Sequence, residues 1–331
     1  MIPAIARERG KHEVLICVSV FAAMTESLPE QFGDTLAKRV YRMQHLLWFE
    51  LRDSWSTYPE DAQQKIHDLG WEPPRPAIDE HQVEIVANNS GEDFLYMHCE
   101  WIAFANHLLA GVADPDYPRV EGWVTLPPPG DPDYPVPPPW FSPEAFAVSN
   151  TFVARAKTDD FFERRFQRWE RLCSDPSYLR RVTLGELGTF IESTLHDGVR
   201  SRWGAAPAAM RPEPPPPGEP IADGWDDPHY DFLRDHYAMH VNPVYWKFSG
   251  WVMDRVEDWK VANGVFGRDF WKATWIGKMP ADHQPGGQCP PSARGPEPVL
   301  AVLDDPEIAT PHLAEMEQVV DIIAEAVARD T

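Results

Sequence analysis

The sequence has few cysteines, a shortage of cations and no long apolar segment, and each shortage excludes a class of protein. Its four cysteines (Cys17, Cys99, Cys173 and Cys289) form no CxxC pair, which excludes a zinc ribbon and favours a reducing compartment. The 30 Lys and Arg residues face 52 Asp and Glu residues, so no nucleic-acid partner is expected, because binding phosphates needs cationic patches. No apolar run approaches the roughly 20 residues that cross a bilayer, so no membrane partner is expected.

Common catalytic signatures are absent as well. The sequence contains no GxGxxG, no P-loop, no GxSxG and no HExxH, so the motifs of dinucleotide binding, nucleotide hydrolysis, serine hydrolysis and zinc proteolysis are all missing.

A cytoplasmic protein is the expectation. Export is the alternative, because three cations precede the apolar residues 14–23 as in a signal peptide, although Glu8 and Glu13 interrupt that cationic flank.

Proline is abundant and clustered. The 35 prolines concentrate in residues 126–143, 207–220 and 280–298, which are predicted to be extended loops because proline fixes φ and lacks a backbone donor. We therefore predict an N-terminal extension over residues 1–34, one helical domain over 35–304 that contains these loops, and a C-terminal amphipathic helix over 305–331.

Apolar residues between the loops recur with helical spacing. The pattern predicts helices over residues 35–55, 92–109, 157–172, 183–203, 242–264 and 311–328. Thr183 and Glu186 form a capping box, and Asn242 with Pro243 marks a helix start that ends at Gly264. No run of alternating strand pattern is present, so the predicted fold is mainly α, an antiparallel helical bundle with long Pro-rich loops.

Three helical segments, in order, resemble motifs of the tyrosinase/haemocyanin family. Residues 93–101 (DFLYMHCEW) resemble the start of a helix that binds the first copper. Residues 192–203 (ESTLHDGVRSRW) resemble a helix that binds the second copper, and residues 242–255 (NPVYWKFSGWVMDR) resemble the helix that supplies its third ligand. The resemblance covers about half of the chain and implies a helical bundle around two coppers held by imidazoles.

The resemblance implies that His98 is a ligand of the first copper and His196 a ligand of the second. Other ligand positions depart from the family, because Asn89, Arg200 and Ser249 stand where histidine is expected. The first ligand has three candidates, His45, His67 and His81, of which His45 is best placed because it lies on a predicted helix. Arginine cannot donate a lone pair, and a neutral hydroxyl is a poor copper ligand.

These departures predict a copper-free relative with a redeployed pocket. That pocket would bind a small aromatic or hydrophobic molecule, or support acid–base chemistry with His98 and His196 as the proton-transfer groups. Arg200 would contact an anion, and Ser249 would donate a hydrogen bond. Arg200 is further expected to pair with Glu192 or Asp254 and so compensate for the missing metal charge. No cofactor is expected, although the resemblance leaves copper open.

Three alternatives remain at this stage. The chain is a non-catalytic protein partner, or a metal-dependent phenol oxidase with an unusual ligand set, or an enzyme of terpene-synthase type that holds Mg²⁺-diphosphate through Asp159, Asp160 and Glu163. His236 and His240 have the i, i+4 spacing of a metal-binding pair, with His229 nearby, but a surface pair outside a site is the simpler interpretation. The expectation for Cys99 is an inert buried thiol.

Overall fold

The chain is mainly helical. The computed structural model describes residues 27–141, 147–209, 222–267, 269–280 and 298–329. Its α-helices are α1 (Glu30–Leu36), α2 (Arg39–Ser54), α3 (Glu60–Asp68), α4 (Ser90–Val112), α5 (Ala147–Ala156), α6 (Asp159–Phe161), α7 (Gln167–Cys173), α8 (Pro176–Leu179), α9 (Leu184–Phe190), α10 (Asp197–Trp203), α11 (Pro243–Asn263) and α12 (Pro306–Arg329). Two π-helical segments, Phe162–Phe166 and Ile191–His196, join α6 to α7 and α9 to α10. Within these ranges there is no β-strand, only an isolated bridge between Ile78 and Glu84.

The helix-start signals in the sequence are confirmed. The Thr183 hydroxyl accepts a hydrogen bond from the Glu186 amide at 3.1 Å, and the Glu186 carboxylate accepts one from the Thr183 amide at 2.7 Å. At the start of α11 the Asn242 side chain accepts from the Val244 amide at 3.0 Å. The same helix is followed by Gly264 in the left-handed conformation, with φ of 64°. Side-chain capping therefore fixes where these two helical segments begin.

Several boundaries differ from the sequence prediction. The helix predicted over residues 35–55 is two helices, α1 and α2, and α1 begins inside the predicted extension because Phe32 and Leu36 are fully buried. Helices α3, α5 and α8 were not predicted. Helix α3 buries only Ala62 and Ile66, and two apolar residues are too few to reveal a helical period in the sequence. Residues 1–26 and most of the predicted loops 207–220 and 280–298 lie outside the described residues, whereas residues 126–141 contain neither helix nor strand.

The core lies between α2, α4, α11 and the helical run from α9 to α10. It is rich in aromatic side chains, and Trp48, Trp101, Trp246 and Trp251 are at most 2% exposed. Large rings bury much apolar area for little conformational entropy. In the part of the chain that the model describes, no helix combines the length and apolar character needed to cross a membrane.

Helices α4 and α9 cross with their backbones in direct contact. A Cβ atom on Gly91 would lie 2.1 Å from the backbone nitrogen of Thr189, and one on Gly188 would lie 1.9 Å from the Gly91 carbonyl oxygen. Gly185 is similarly close to Asn89. Only glycine permits this separation, because any other side chain would push the helices apart. The crossing therefore sets the position of α4 relative to the run that follows α9.

Buried carboxylates fix the first turn of α4. Asp93 accepts two hydrogen bonds from Arg75, at 2.6 and 2.8 Å, and a third from the Trp275 amide at 2.8 Å. Glu92 accepts hydrogen bonds from the backbone amides of Lys272 and Ala273. Negative charge at this helix end is favourable, because the first amides of a helix point towards it. Residues 271–275 are thereby tied to the start of α4.

The close contact at Gly91 predicts that two glycine-to-alanine substitutions in α4 have different effects on stability. Gly91→Ala is expected to lower the free energy of unfolding by about 1–3 kcal/mol or more, because the new methyl group overlaps the α9 backbone. Gly111→Ala on the same helix is the control, since nothing lies within 4 Å of its added Cβ, and it is expected to leave stability unchanged or raise it by up to about 1 kcal/mol. Denaturant unfolding of the two variants tests this. Equal stabilities would contradict a backbone contact at Gly91.

Candidate functional site: a buried histidine cluster and its cavity

Five histidines come together at the centre of the bundle, and we call them the histidine cluster. They are His45 on α2, His98 on α4, His196 at the end of the π segment, and His236 and His240 before α11. The ring centroids of His45 and His240 are 4.8 Å apart, and those of His98 and His196 are 5.9 Å apart. His236 is partly exposed, and the other four are at most 4% exposed. Burying so many imidazoles is unusual for a structural core.

Aromatic rings surround the histidine cluster. The Tyr245 ring lies 5.5 Å from the ring of His45 and 5.9 Å from that of His98, measured between centroids. The Phe49 ring stacks on His236 at 4.2 Å and lies parallel to His196 at 5.5 Å. These rings keep water away from the imidazoles, so their charged forms are disfavoured.

Backbone carbonyl groups determine how two of the imidazoles are oriented. His45 Nδ1 lies 2.6 Å from the carbonyl oxygen of His236, and His98 Nδ1 lies 2.9 Å from that of Phe94. A carbonyl oxygen can only accept, so both Nδ1 atoms carry the proton and both Nε2 atoms carry a lone pair. The buried Nε2 atoms of His45, His98 and His196 have no hydrogen-bond partner. The buried Nδ1 atom of His240 also has no hydrogen-bond partner, so four imidazoles present unpaired nitrogens inside the core.

Burial keeps the histidine cluster neutral. It lowers the pKa of His45 to about 3 and that of His98 to about 4. Burial, and then the charge of Arg200, hold the pKa values of His196 and His236 well below their ordinary range. Unfolded imidazoles have a pKa near 6.5, so below about pH 6.5 the unfolded chain binds more protons than the folded chain. The stability that the neutral imidazoles permit is complete above that pH and is lost as the pH falls.

Arg200 lies beside the histidine cluster with its hydrogen-bonding capacity largely used. Its Nη1 donates to His236 Nε2 at 2.7 Å, its Nη2 to the Arg234 carbonyl at 2.8 Å, and its Nε to the Leu233 carbonyl at 3.2 Å. The nearest carboxylate oxygen recorded for it belongs to Asp197, at 3.5 Å. Arg200 is therefore held by backbone oxygens and a neutral imidazole.

The predicted partners of Arg200 were wrong. Glu192 instead forms a bidentate ion pair with the buried Arg52, with distances of 2.6 and 3.1 Å, and Asp254 is exposed on α11. Arg52 also donates to the Ser90 carbonyl at 2.8 Å. The ion pair therefore joins α2, the start of α4 and the π segment, and it leaves Glu192 unavailable to Arg200.

A cavity of about 110 Å³ opens beside the histidine cluster. Polar side chains from α2, the π segment, α10 and the segment before α11 line it, among them Asp53, Glu192, His196, Arg200 and His236. Burial and the nearby Glu192 carboxylate raise the pKa of Asp53 to about 8. At neutral pH the cavity thus combines a protonated carboxyl group, neutral imidazoles and a guanidinium. Asp53 was not predicted from the sequence, because nothing in the α2 pattern distinguishes it from a solvated helix carboxylate.

The structure brings together only part of the predicted site. His98, His196 and Arg200 lie in or beside the histidine cluster. Ser249 is fully buried, but its hydroxyl donates to the Tyr245 carbonyl of its own helix at 2.7 Å. Asn89 precedes α4 in the left-handed conformation, with φ of 65°, and at about 1.5 Å per helical residue it lies roughly 13 Å along the helix axis from His98.

The other candidate histidines divide into two groups. His67, His81 and His229 have mostly exposed side chains and lie outside the cluster. The prediction of a surface pair at His236 and His240 was wrong. His240 is fully buried and its Nε2 donates to the Leu36 carbonyl at 3.0 Å, because the segment before α11 folds inward between α1 and α2.

The family resemblance implies copper ligands in this region, and three features of the side chains bear on that expectation. Within the described ranges no group of three or more His, Cys, Asp or Glu side chains is arranged to hold a metal ion. The permanent charge of Arg200 repels a cation from His196 and His236. The Ser249 hydroxyl donates to its own helix, and Asn89 lies at the other end of the first turns of α4 from His98.

Two further expectations concern the acidic motif and Cys99. Asp159 lies 3.4 Å from Arg202 and Asp160 lies 2.6 Å from Arg164, so arginines already neutralise two carboxylates of the acidic motif that includes Glu163. The expectation of a thiol at Cys99 was wrong, because Cys99 is disulfide-bonded. Cys173 is a free buried cysteine, and burial raises the pKa of its thiol to about 12.

Comparisons with known proteins add no assignment to these residues. Neither a family model nor a curated protein matches the chain.

The contacts of Arg200 predict a structural effect of removing it. Arg200→Gln is expected to lower the free energy of unfolding by about 2–4 kcal/mol, because His236 Nε2 and two backbone carbonyls lose their buried donor. Arg164→Gln is the control, since its side chain is 76% exposed, and it is expected to change stability by less than about 0.5 kcal/mol. Thermal and denaturant unfolding measure both. An unchanged Arg200→Gln protein would show that these hydrogen bonds do not stabilise the fold.

Proposed function

We propose that this chain is a tyrosinase-like helical protein without a dicopper centre, and that the cavity beside His196 binds a small polar molecule and transfers a proton to or from it. The observation that carries the proposal is the set of groups lining one cavity: Asp53, which is protonated at neutral pH, and the neutral imidazoles of His196 and His236. Asp53 can donate a proton and the unpaired Nε2 of His196 can accept one, whereas His236 Nε2 already accepts a hydrogen bond from Arg200.

The cavity has the features of a site for acid–base chemistry. A carboxyl group is a useful acid at neutral pH only when its pKa is raised, and burial near a second carboxylate does this for Asp53. A neutral imidazole can accept a proton, and burial together with the Arg200 charge keeps His196 neutral at the cost of making it a weaker base. Perturbed titratable groups that share a cavity are a common feature of catalytic sites.

The size and lining of the cavity favour a particular ligand class. Its volume of about 110 Å³ is smaller than the roughly 150 Å³ of an apolar cavity that holds benzene. Its lining is mainly polar, and the Glu192 charge is already paired with Arg52. A small neutral molecule with hydrogen-bonding groups, such as an amide, therefore fits better than the aromatic or hydrophobic molecule expected from the sequence.

The family relationship is part of the same proposal. It is supported by the three ordered sequence motifs, and by His45, His98 and His196 approaching one another from separate helices. Arg200 and Ser249 support the loss of copper, since one is a fixed cation and the other donates to its own helix. The chain would then retain the family's buried imidazoles and use the adjoining cavity in a different way.

Copper loading tests the metal-free part of the proposal. The purified chain is dialysed against Cu²⁺, freed of excess metal, and analysed for copper content, for near-ultraviolet absorption in the presence of oxygen, and for catechol oxidation. We expect no stoichiometric copper in the histidine cluster and no oxidation. Two coppers per chain together with catechol oxidation would overturn the proposal.

Ligand-observed nuclear magnetic resonance tests the cavity. Acetamide and urea are expected to bind and to compete with each other, and binding is expected to weaken as the pH rises above about 8, because Asp53 then loses its proton. Ser193→Phe, at the exposed rim of the cavity, should abolish binding, whereas Ser174→Phe, at an exposed position after α7, should not. Binding that is unaffected by Ser193→Phe would place the ligand elsewhere and contradict the proposal.

A further inference from the structure

A second and larger cavity is a groove that shares no residue with the histidine cavity. Its volume is about 780 Å³, and it lies between the start of α1, residues 135–137, residues 203–208 and the start of α11. Pockets that bind organic molecules commonly measure about 300–1,000 Å³. The groove therefore has room for a ligand much larger than the one proposed for the cavity beside His196.

The walls of this groove are apolar and conformationally restricted. They are formed largely by proline, alanine and valine, with the indole of Trp203 among them. Proline and alanine lose little side-chain entropy when a ligand covers them. Trp203 is itself held in place, because its Nε1 donates to the Tyr134 carbonyl at 3.2 Å. Such a surface favours a ligand with an apolar chain or ring.

The charged side chains that line the groove are carboxylates, and the exposed imidazole of His229 lies beside them. Glu30, Asp34 and Asp231 line it, and no Lys or Arg does. No ion-pair partner lies within 4 Å of these three carboxylates in the part of the chain that the model describes. Asp231 is partly buried, accepts a hydrogen bond from the side-chain amide of Asn242 at 3.2 Å, and is attracted by the charge of Arg42 without forming an ion pair with it. Because the lining itself holds three carboxylates and no Lys or Arg, it would attract a cationic ligand and repel an anionic one.

We propose that this groove binds an amphiphilic amine, a molecule that joins an apolar chain or ring to one protonated amino group. The apolar part lies against Trp203 and the proline and alanine walls. The ammonium group lies at Asp231, with Glu30 and Asp34 adding to the attraction. This inference is independent of the function proposed for the histidine cavity.

A matched series of ligands tests the charge requirement. Isothermal titration calorimetry of the full chain is carried out with n-octylamine, n-octanol and octanoate, each below its micelle concentration. We expect octylamine to bind with one-to-one stoichiometry and about tenfold more tightly than octanol, a ratio typical of one favourable charge interaction. Octanoate should bind more weakly than octanol. Equal binding of octanoate and octylamine would overturn the proposal.

Variants of the groove locate the binding. Asp231→Asn should lower the affinity for octylamine about tenfold and leave that for octanol unchanged, whereas Asp160→Asn, on the exposed face of α6, should change neither. Ala206→Trp, at an exposed wall position, should abolish binding of both ligands. Thermal unfolding of each variant checks that it is folded. Octylamine binding that survives Ala206→Trp would contradict the proposal. Binding that appears only after residues 1–23 are removed would also contradict it, because the occupant of the groove would then be the chain's own N-terminus.

Discussion

The guanidinium of Arg200 lies against the imidazole of His236 and places a permanent positive charge beside the other buried histidines. The properties of the site depend on this charge. Burial is the larger cause that keeps His196 and His236 neutral, and Arg200 adds to it because two like charges close together in a low-dielectric interior repel each other. The same charge opposes a metal cation. One arginine on the position of an expected ligand therefore changes both the protonation and the metal affinity of its surroundings.

The fold holds Arg200 in place through contacts distant from the site. The glycine contact between α4 and α9 sets the start of the helical run that ends in α10, and the Arg52–Glu192 ion pair ties the π segment of that run to α2. The carbonyl groups of Leu233 and Arg234 then receive the guanidinium. Because these donors and acceptors come from separate parts of the chain, the charge can be buried without leaving its hydrogen-bonding groups unpaired.

Local signals in the sequence predicted the longer helices, and long-range contacts account for what was missed. The capping residues Thr183 and Asn242 marked true helix starts, and the motif order placed His98, His196 and Arg200 in one region. The inward position of His236 and His240 could not be predicted from the sequence. It depends on the Leu36 carbonyl, which accepts from His240, and on Arg200, which donates to His236, and both residues are far away in the sequence. The raised pKa of Asp53 likewise arises from Glu192 on another element, and the short pattern of α3 carried too few buried residues to be recognised.

The most direct measurement of the central claim is the protonation state of the clustered imidazoles. Nitrogen-15 resonances of labelled histidine are followed from pH 8 to pH 5 in the intact protein and in Arg200→Gln, with free histidine in the same sample as the titrating reference. We predict that His45, His98, His196, His236 and His240 remain neutral while the free amino acid becomes protonated. We further predict that His196 or His236 becomes protonated at a higher pH in Arg200→Gln than in the intact protein. Protonation of the clustered imidazoles of the intact protein together with the reference would contradict it.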